Sequence, residues 1–297
     1  MKDTKFIFLG DAEPDNFKKP AGYELWKALL ITAWEETYPS DEEDSLLVLA
    51  GDLVRRSRKD DNWKDFFAAA DPFIKKSAVI AAIGNHDCRD GIDYLYRLKT
   101  PENGPEGFER RFYSYDFGCC HFTVLDTNSL WYRPEYDNMK KYSRKFSIDL
   151  PPYDHFIAPV PLITEWMEKD FENSRGQVIF VLMHHPMFSA GTSEGDNERA
   201  TFLQENFLPV MKKHGVSMIL CGHQHLYCRT DLKKTGIIQL MGVSGNKLFD
   251  AWDRSSMEFV HEFTSVASIF NVSEKQISIK TIDSEKNVID NKIIMLT

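Results

Sequence analysis

Five times along this chain a short, largely apolar run stops at a side chain able to bind metal, in most cases just after a glycine. Lys5 to Leu9 leads into Gly10 and Asp11, Leu46 to Ala50 into Gly51 and Asp52, and Ala78 to Ile83 into Gly84, Asn85, His86 and Asp87. Val178 to Met183 leads into His184, His185 and Pro186, and Ser217 to Cys221 into Gly222, His223, Gln224 and His225. Apolar runs this short and this continuous are the pattern of strands covered on both faces. Amphipathic stretches from Tyr23 to Tyr38, Ile163 to Asn173 and Glu198 to His214 lie between them. Strand–helix alternation predicts βαβ units and a largely parallel sheet, whose ligands bind beyond the carboxyl ends of the strands. All five polar clusters are therefore expected along one edge.

A second group of runs alternates more. Arg111 to Phe117, His121 to Leu125, Ile237 to Val243, Ala267 to Val272 and Gln276 to Ile282 read as half-buried antiparallel strands, and so as a second sheet packed on the first. No repeat or linker divides the chain, which reads as one domain over residues 1–297 with an insertion or cap loop at about 131–161. That segment has no clean period and several prolines, and loops of such length are usually functional or unstructured. It carries Trp131, Tyr132, Tyr136, Tyr142, Phe146 and Tyr153 among Arg133, Lys140, Lys141, Arg144 and Lys145. Such a mixture suits stacking on and neutralising an organic phosphate; it equally suits a solvated cap or an oligomer contact.

Composition narrows the partners. With 42% hydrophobic and 27% charged residues the chain is globular, and its net charge of −9 argues against nucleic acid as the main partner. Small anionic substrates remain open, because bound cations reverse the local field. No apolar run approaches the roughly 20 residues that span a bilayer, so no membrane partner is expected. The run ending at Leu9 is too short for an export signal and reads as an ordinary strand. Cys88, Cys119, Cys120, Cys221 and Cys228 are an odd set without a CxxC pair, which points to a reducing compartment and makes the cytoplasm the expected location.

Asp11, Asp52, Asn85, His184, His223 and His225 supply the carboxylate, amide and imidazole groups that suit Mn, Fe, Zn or Co. In a two-metal hydrolase a carboxylate bridges the cations, which activate a trapped water and clamp the attacking and leaving oxygens. Singly these residues have blander readings: a strand-end aspartate is commonly a cap or turn residue. The set taken together is what points to metal. His185 reads equally as a substrate contact or as packing beside Pro186. His121, His155, His214 and His261 lack ligand context, and Cys221 reads as inert core.

In order and spacing, Gly10-Asp11, Gly51-Asp52-Leu53-Val54-Arg55, Gly84-Asn85-His86-Asp87, His184 and Gly222-His223-Gln224-His225 resemble the calcineurin-like metallophosphoesterases. The stretch from Phe112 to Thr127 and His184-His185-Pro186 are most similar to the purple-acid-phosphatase-like branch. The resemblance implies a four-layer α/β/β/α sandwich of two packed mixed sheets flanked by helices, with the metal site at the strand C-terminal edge. It implies two divalent or mixed-valence ions (Mn, Fe or Zn) and hydrolysis of a small phosphorylated substrate, as monoester or diester. On that pattern Asp52 bridges the metals, Asp11 and His225 complete one site, and Asn85, His184 and His223 complete the other. His86 sits at the phosphate, stabilising charge or protonating the leaving alkoxide, and Asp87 and Arg55 join it as catalytic candidates. Arg55 either braces the Asp52 loop or lies near the phosphate.

Two departures stand out. The family's Asp-x-His is here Asp11-Ala12-Glu13. Glu13 either ligates in place of the imidazole, favouring harder cations, or points away and leaves the first metal weakly held. Arg55 replaces the metal-bound tyrosine of purple acid phosphatases, so no tyrosinate-to-iron chromophore is expected. The alternative function is a metal-poor, catalytically weak binding module on the same fold, for which Glu13 is the supporting feature.

Overall fold

In the computed structural model, residues 3–15, 22–40, 44–88, 97–130, 158–174, 176–191 and 194–296 are described. Strand β1 (Thr4–Leu9) shows why its sequence has no polar face. Phe6 and Phe8 point into one core and Ile7 and Leu9 into another, as the period of two along a strand requires. Phe6 stacks on Phe270 at 4.4 Å and meets Phe122 and Phe180 edge-on at 5.3 and 5.4 Å. These aromatic contacts join the two sheets.

The first sheet runs β13 (Val288–Met295), β12 (Gln276–Ile282), β11 (Ala267–Val272), β1, β2 (Leu46–Leu49), β3 (Ala78–Ala81). Only β1–β2 and β2–β3 are parallel in it. The second runs β10 (Met257–His261), β8 (Tyr227–Thr230), β9 (Ile238–Met241), β7 (Met218–Cys221), β6 (Val178–Met183), β5 (Cys120–Leu125), β4 (Tyr113–Phe117). Its centre, β5–β6–β7–β9, is parallel.

Helices α1 (Glu24–Thr37) and α2 (Asp60–Ile74) cover the outer face of the first sheet through Trp26, Leu30, Trp63 and Phe66. The short α3 (Asn85–Cys88) and α4 (Thr127–Leu130) cap strand ends. Helices α5 (Val160–Asn173) and α6 (Glu194–Lys213) cover the second sheet through Ile163, Phe171, Leu203 and Phe207. The result is two mixed sheets, face to face and flanked by helices, as the resemblance implies.

The expected single edge is not what forms. The five metal-bearing strands divide between the sheets: β1, β2 and β3 in one, β6 and β7 in the other. Their polar tips meet where the ends of the two sheets lie side by side. A continuous apolar run reports burial on both faces and says nothing about which sheet it joins. For the same reason the His121 and Ile237 runs, read as half-buried antiparallel strands, are the fully buried β5 and β9, parallel to β6 and β7. The Arg111 run, as β4, and β11 and β12 keep the part-buried antiparallel character. The α2 helix and strands β8, β10 and β13 had no place in the sequence reading.

Positions 131–157, with the aromatic and cationic residues of the insertion, lie outside the described residues. The Ala158 N–H donates to the Ser129 carbonyl at 3.0 Å, so residues 129 and 158 lie side by side. Val160 and Pro161 already belong to α5, because proline is tolerated in the first helical turn, where its missing N–H has no partner to lose. Among the described residues no helix is long and apolar enough to cross a membrane.

Candidate metal centre

Each cluster is delivered by a strand end, and close backbone approach lets the clusters meet. A Cβ on Gly84 would lie 2.1 Å from the Asp52 nitrogen, and one on Gly222 would lie 2.5 Å from Asp11 Oδ2. Only glycine lets the β3 and β7 ends press against those aspartates. Asp52, His223 and His225 hold φ of +49°, +78° and +55°, a region that residues with a Cβ seldom occupy.

The carboxylates pin the loops that carry their neighbours. Asp11, fully buried, accepts the His223 N–H on Oδ1 at 3.0 Å and Oδ2 at 2.8 Å. Asp52 Oδ1 accepts the His86 N–H at 2.8 Å. His184 donates from Nδ1 to the Ala50 carbonyl at 2.8 Å, which turns Nε2 toward Asn85 Oδ1 at 3.1 Å and Asp52 Oδ2 at 3.4 Å. His223 donates from Nε2 to Asp196 Oδ1 at 3.0 Å, leaving Nδ1 3.0 Å from Asn85 Oδ1. A carboxylate behind a ligating imidazole fixes its tautomer and orientation. Asp196, on α6, was not singled out from the sequence, and no local pattern marks it.

Three groups of ligand atoms lie within 4.8 Å of one another: Asp11 with Asp52 and His184, Glu13 with Asp52 and His225, and His184 with His185 and His223. Asp52 and His184 each belong to two of them, and of the pair only the carboxylate, with two oxygens, suits the position of a bridging group. Among the described residues, buried Glu13 Oε2, His185 Nε2 and His225 Nδ1 find no hydrogen-bond partner. Oxygen and imidazole acceptors converging in this way repel one another unless a cation lies among them. The donor set thus fits divalent metals of the borderline class.

The electrostatics divide the ligands into groups that a metal would have to deprotonate and groups already in the ligating form. Against its burial, His184 and His86 hold the Asp52 carboxyl well below the usual carboxylate range. Burial lifts Asp11 to about 7, with His184 opposing and Asp52 reinforcing. Burial disfavours the His184 imidazolium, yet Asp52 and Asp11 raise it to about 9. Burial keeps His223 and His225 below the usual histidine value, so both imidazoles are neutral, the form that binds metal.

The cleft over this cluster has a volume of about 360 Å³ and is lined by Asp52, Asn85, His86, His223, His225 and Lys247 among others. Phe249 and Trp252, 47% and 73% exposed, stand at its rim. His86 places Nδ1 3.1 Å from the Arg55 carbonyl and lines the cleft itself. Glu13 points inward: Oε1 lies 2.9 Å from Lys247 Nζ and 3.8 Å from His225 Nε2, and Oε2 lies 3.1 Å from His86 Nδ1. Lys247 is the second residue that sequence reasoning missed.

Two catalytic candidates stand elsewhere. Asp87 is buried, and its oxygens accept the N–H groups of Leu53 at 2.9 Å, Val54 at 3.1 Å and Gly84 at 2.9 Å. It ties the Asp52 loop to the Asn85 loop. Arg55 lines a separate hollow with Tyr23, Lys59 and Asp65, so its tie to the cleft is the carbonyl facing His86. His185 is fully buried behind His223, with ring centroids 4.3 Å apart and Nδ1 2.7 Å from Thr127 Oγ1. His121 and His214 pair with carboxylates away from the cleft.

Residues 4–227 match the family model described as Calcineurin-like phosphoesterase. Over 193 residues the chain is 25% identical to an acid phosphatase of Aspergillus ficuum, covering 58% of this chain and 30% of that protein. Over 231 residues it is 22% identical to a probable inactive purple acid phosphatase 9 of Arabidopsis thaliana, covering 67% and 30%. The chain therefore spans under a third of the length of these relatives. Among solved structures, purple acid phosphatase PPD1 of yellow lupin superposes with a TM-score of 0.68 at 15% identity, over 99% of this chain and 54% of the other. GAP50, the anchor in the inner membrane complex of Plasmodium, gives 0.67 at 15%, over 99% and 89%. At such identities the likeness is one of fold.

Proposed function

Because this chain belongs to the calcineurin-like phosphoesterase family, we propose that it hydrolyses a phosphate ester with water activated at a dinuclear metal centre. The observation that carries this reading is Asp52, shared by two triads of buried ligand atoms. Divalent cations, when bound, supply an activated water and neutralise charge on the phosphate oxygens. Asp52 would bridge them, Asp11, Glu13 and His225 would hold one, and Asn85, His184 and His223 the other, with Mn, Fe or Zn suiting that set.

The protein's own contribution is positioning and proton transfer. Asp196 orients His223, and the Ala50 carbonyl orients His184. Asp87 holds the two loops in register. His86 has its main chain fixed by Asp52 and its ring in the cleft wall, and would donate a proton to the departing alkoxide. The cleft's volume suits a small phosphorylated substrate, and the net charge of −9 disfavours nucleic acid. The odd set of five cysteines without a CxxC pair is in keeping with the cytoplasm as its compartment.

A second reading, a metal-poor binding module, draws on the Lys247–Glu13 pair and on the relative named as inactive. One experiment separates them. Metal content is measured after loading with Mn²⁺, followed by turnover of an aryl phosphate, a bis-aryl phosphate and a nucleotide. Bound metal with turnover supports the hydrolase and shows whether monoesters or diesters are preferred. Absence of metal after loading supports the module.

A further inference from the structure

The backbone builds a lysine into the first metal position. Residues 244–246 are fastened to residues 11–15: the Ser244 and Gly245 N–H groups donate to the Asp11 carbonyl at 3.2 and 2.6 Å. Asn246 clamps Asp15 reciprocally, accepting its N–H on Oδ1 at 2.7 Å and donating from Nδ2 to its carbonyl at 3.0 Å. Ser265 Oγ holds the Gly245 carbonyl at 2.6 Å. The next residue, Lys247, is therefore delivered to Glu13 by a fixed main chain. Its Nζ lies 2.9 Å from Glu13 Oε1, with 27% of the side chain exposed, and 5.7 Å from the Phe249 ring centroid.

We propose that Lys247 makes the two metal positions unequal: its ammonium shares Glu13 with the first cation and repels it, so that position binds metal weakly and reversibly. The second position, formed by Asn85, His184 and His223 with Asp52, has no lysine on its ligands within the described residues, Arg199 standing behind His223 at 3.8 Å from Asp196 Oδ1, and binds tightly. This inference rests on the metal-centre reading above. Its physical ground is that a resident monovalent cation on a ligand carboxylate both takes up acceptor capacity and opposes a divalent ion electrostatically. An imidazole in place of Glu13 would offer lysine no anionic partner. Glu13 and Lys247 therefore act as one unit, and metal concentration governs how many molecules carry both ions.

The test titrates metal-free protein with Mn²⁺ against a chelator of known affinity, with electron paramagnetic resonance to distinguish isolated from coupled Mn²⁺. Wild-type protein is expected to show an isolated-ion signal at one equivalent and two dissociation constants about 100-fold apart or more. Lys247→Met keeps the length of the side chain and removes its charge. It should tighten the weaker site on the order of tenfold, leaving the tighter one within about threefold. Lys247→Arg, which keeps the charge, should titrate like wild type and controls for disturbance of the loop. Two equally tight sites in wild type, or a weaker site unmoved or loosened by Lys247→Met, would overturn the inference and leave the hydrolase reading standing. Protein that takes up no metal at all would overturn both.

Discussion

Asp87 separates a residue that builds the site from one that performs its chemistry. Three buried main-chain N–H groups, from Leu53, Val54 and Gly84, depend on its carboxylate. A buried donor left unpaired costs about 1–3 kcal/mol. Asp87→Ala orphans all three donors, so about 3–9 kcal/mol of stability should be lost, a large share of the about 5–15 kcal/mol a domain has. Asp87→Asn keeps Oδ1 for Leu53 and Val54 and turns an NH₂ toward the Gly84 N–H, so about 1–3 kcal/mol should go. Urea unfolding of the metal-free proteins measures both values. A Mn²⁺ titration should show weaker binding in step with them, since the tie joins the Asp52 and Asn85 loops. The reasoning fails if Asp87→Asn is as stable as wild type and binds metal normally while kcat falls steeply; Asp87 would then act on the substrate.

His86→Ala should lower kcat by about 10²–10⁴-fold with metal content unchanged, and full kcat in that variant would remove His86 from proton transfer; Asp52→Asn should instead empty the centre. Asp196→Ala should weaken metal binding by about 10–100-fold, as measured by chelator competition, whereas unchanged affinity would mean that His223 orients itself. His121 is a pH-dependent stabiliser: burial disfavours its charge, but Asp170 and Asp116 outweigh this and raise its pKa above 6.5. A raised folded value means that its contribution is complete below the unfolded pKa and is lost as pH rises through the folded one. Urea midpoints across that range should therefore fall further with rising pH in wild type than in His121→Gln.

The reach of the sequence follows the range of the interactions. Strand identity came from local runs, because burial on both faces leaves no polar residue at either parity, and the metal candidates came from residue types fixed to the ends of those runs. Assignment to sheets did not, because Phe6 meeting Phe122, Phe180 and Phe270 is a matter of distant segments. Asp196 and Lys247 escaped for a related reason. Each is an ordinary charged residue in its own stretch of sequence, and each acquires meaning only across about 27 and 234 positions of separation from its partner. Glu13 was seen as a departure, but the lysine that answers it cannot be read from Asp11-Ala12-Glu13. Asp87 shows a different limit: its place beside His86 suggests chemistry, while in the fold its carboxylate binds the N–H groups of two loops.

The ligands also hold one another, and this bears on how the centre tolerates change. Residues in the left-handed region cost about 1–3 kcal/mol each when they carry a Cβ, and Asp52, His223 and His225 all lie there. The turns persist because neighbouring ligand loops anchor them. Asp11 receives the His223 N–H on both oxygens, Asp52 receives the His86 N–H, and the Asp52 carbonyl receives the N–H groups of Ala12 and Glu13 at 3.1 and 2.8 Å. A carboxylate here serves as prospective metal ligand and as backbone clamp at once. Removing one therefore releases strain in a loop that carries a different ligand, and the effects of paired substitutions in this cluster cannot add as independent sites would. The same coupling explains why a single departure at Glu13 is met by a lysine on a segment bolted to its own main chain: a change in one ligand is accommodated where the clamps already converge.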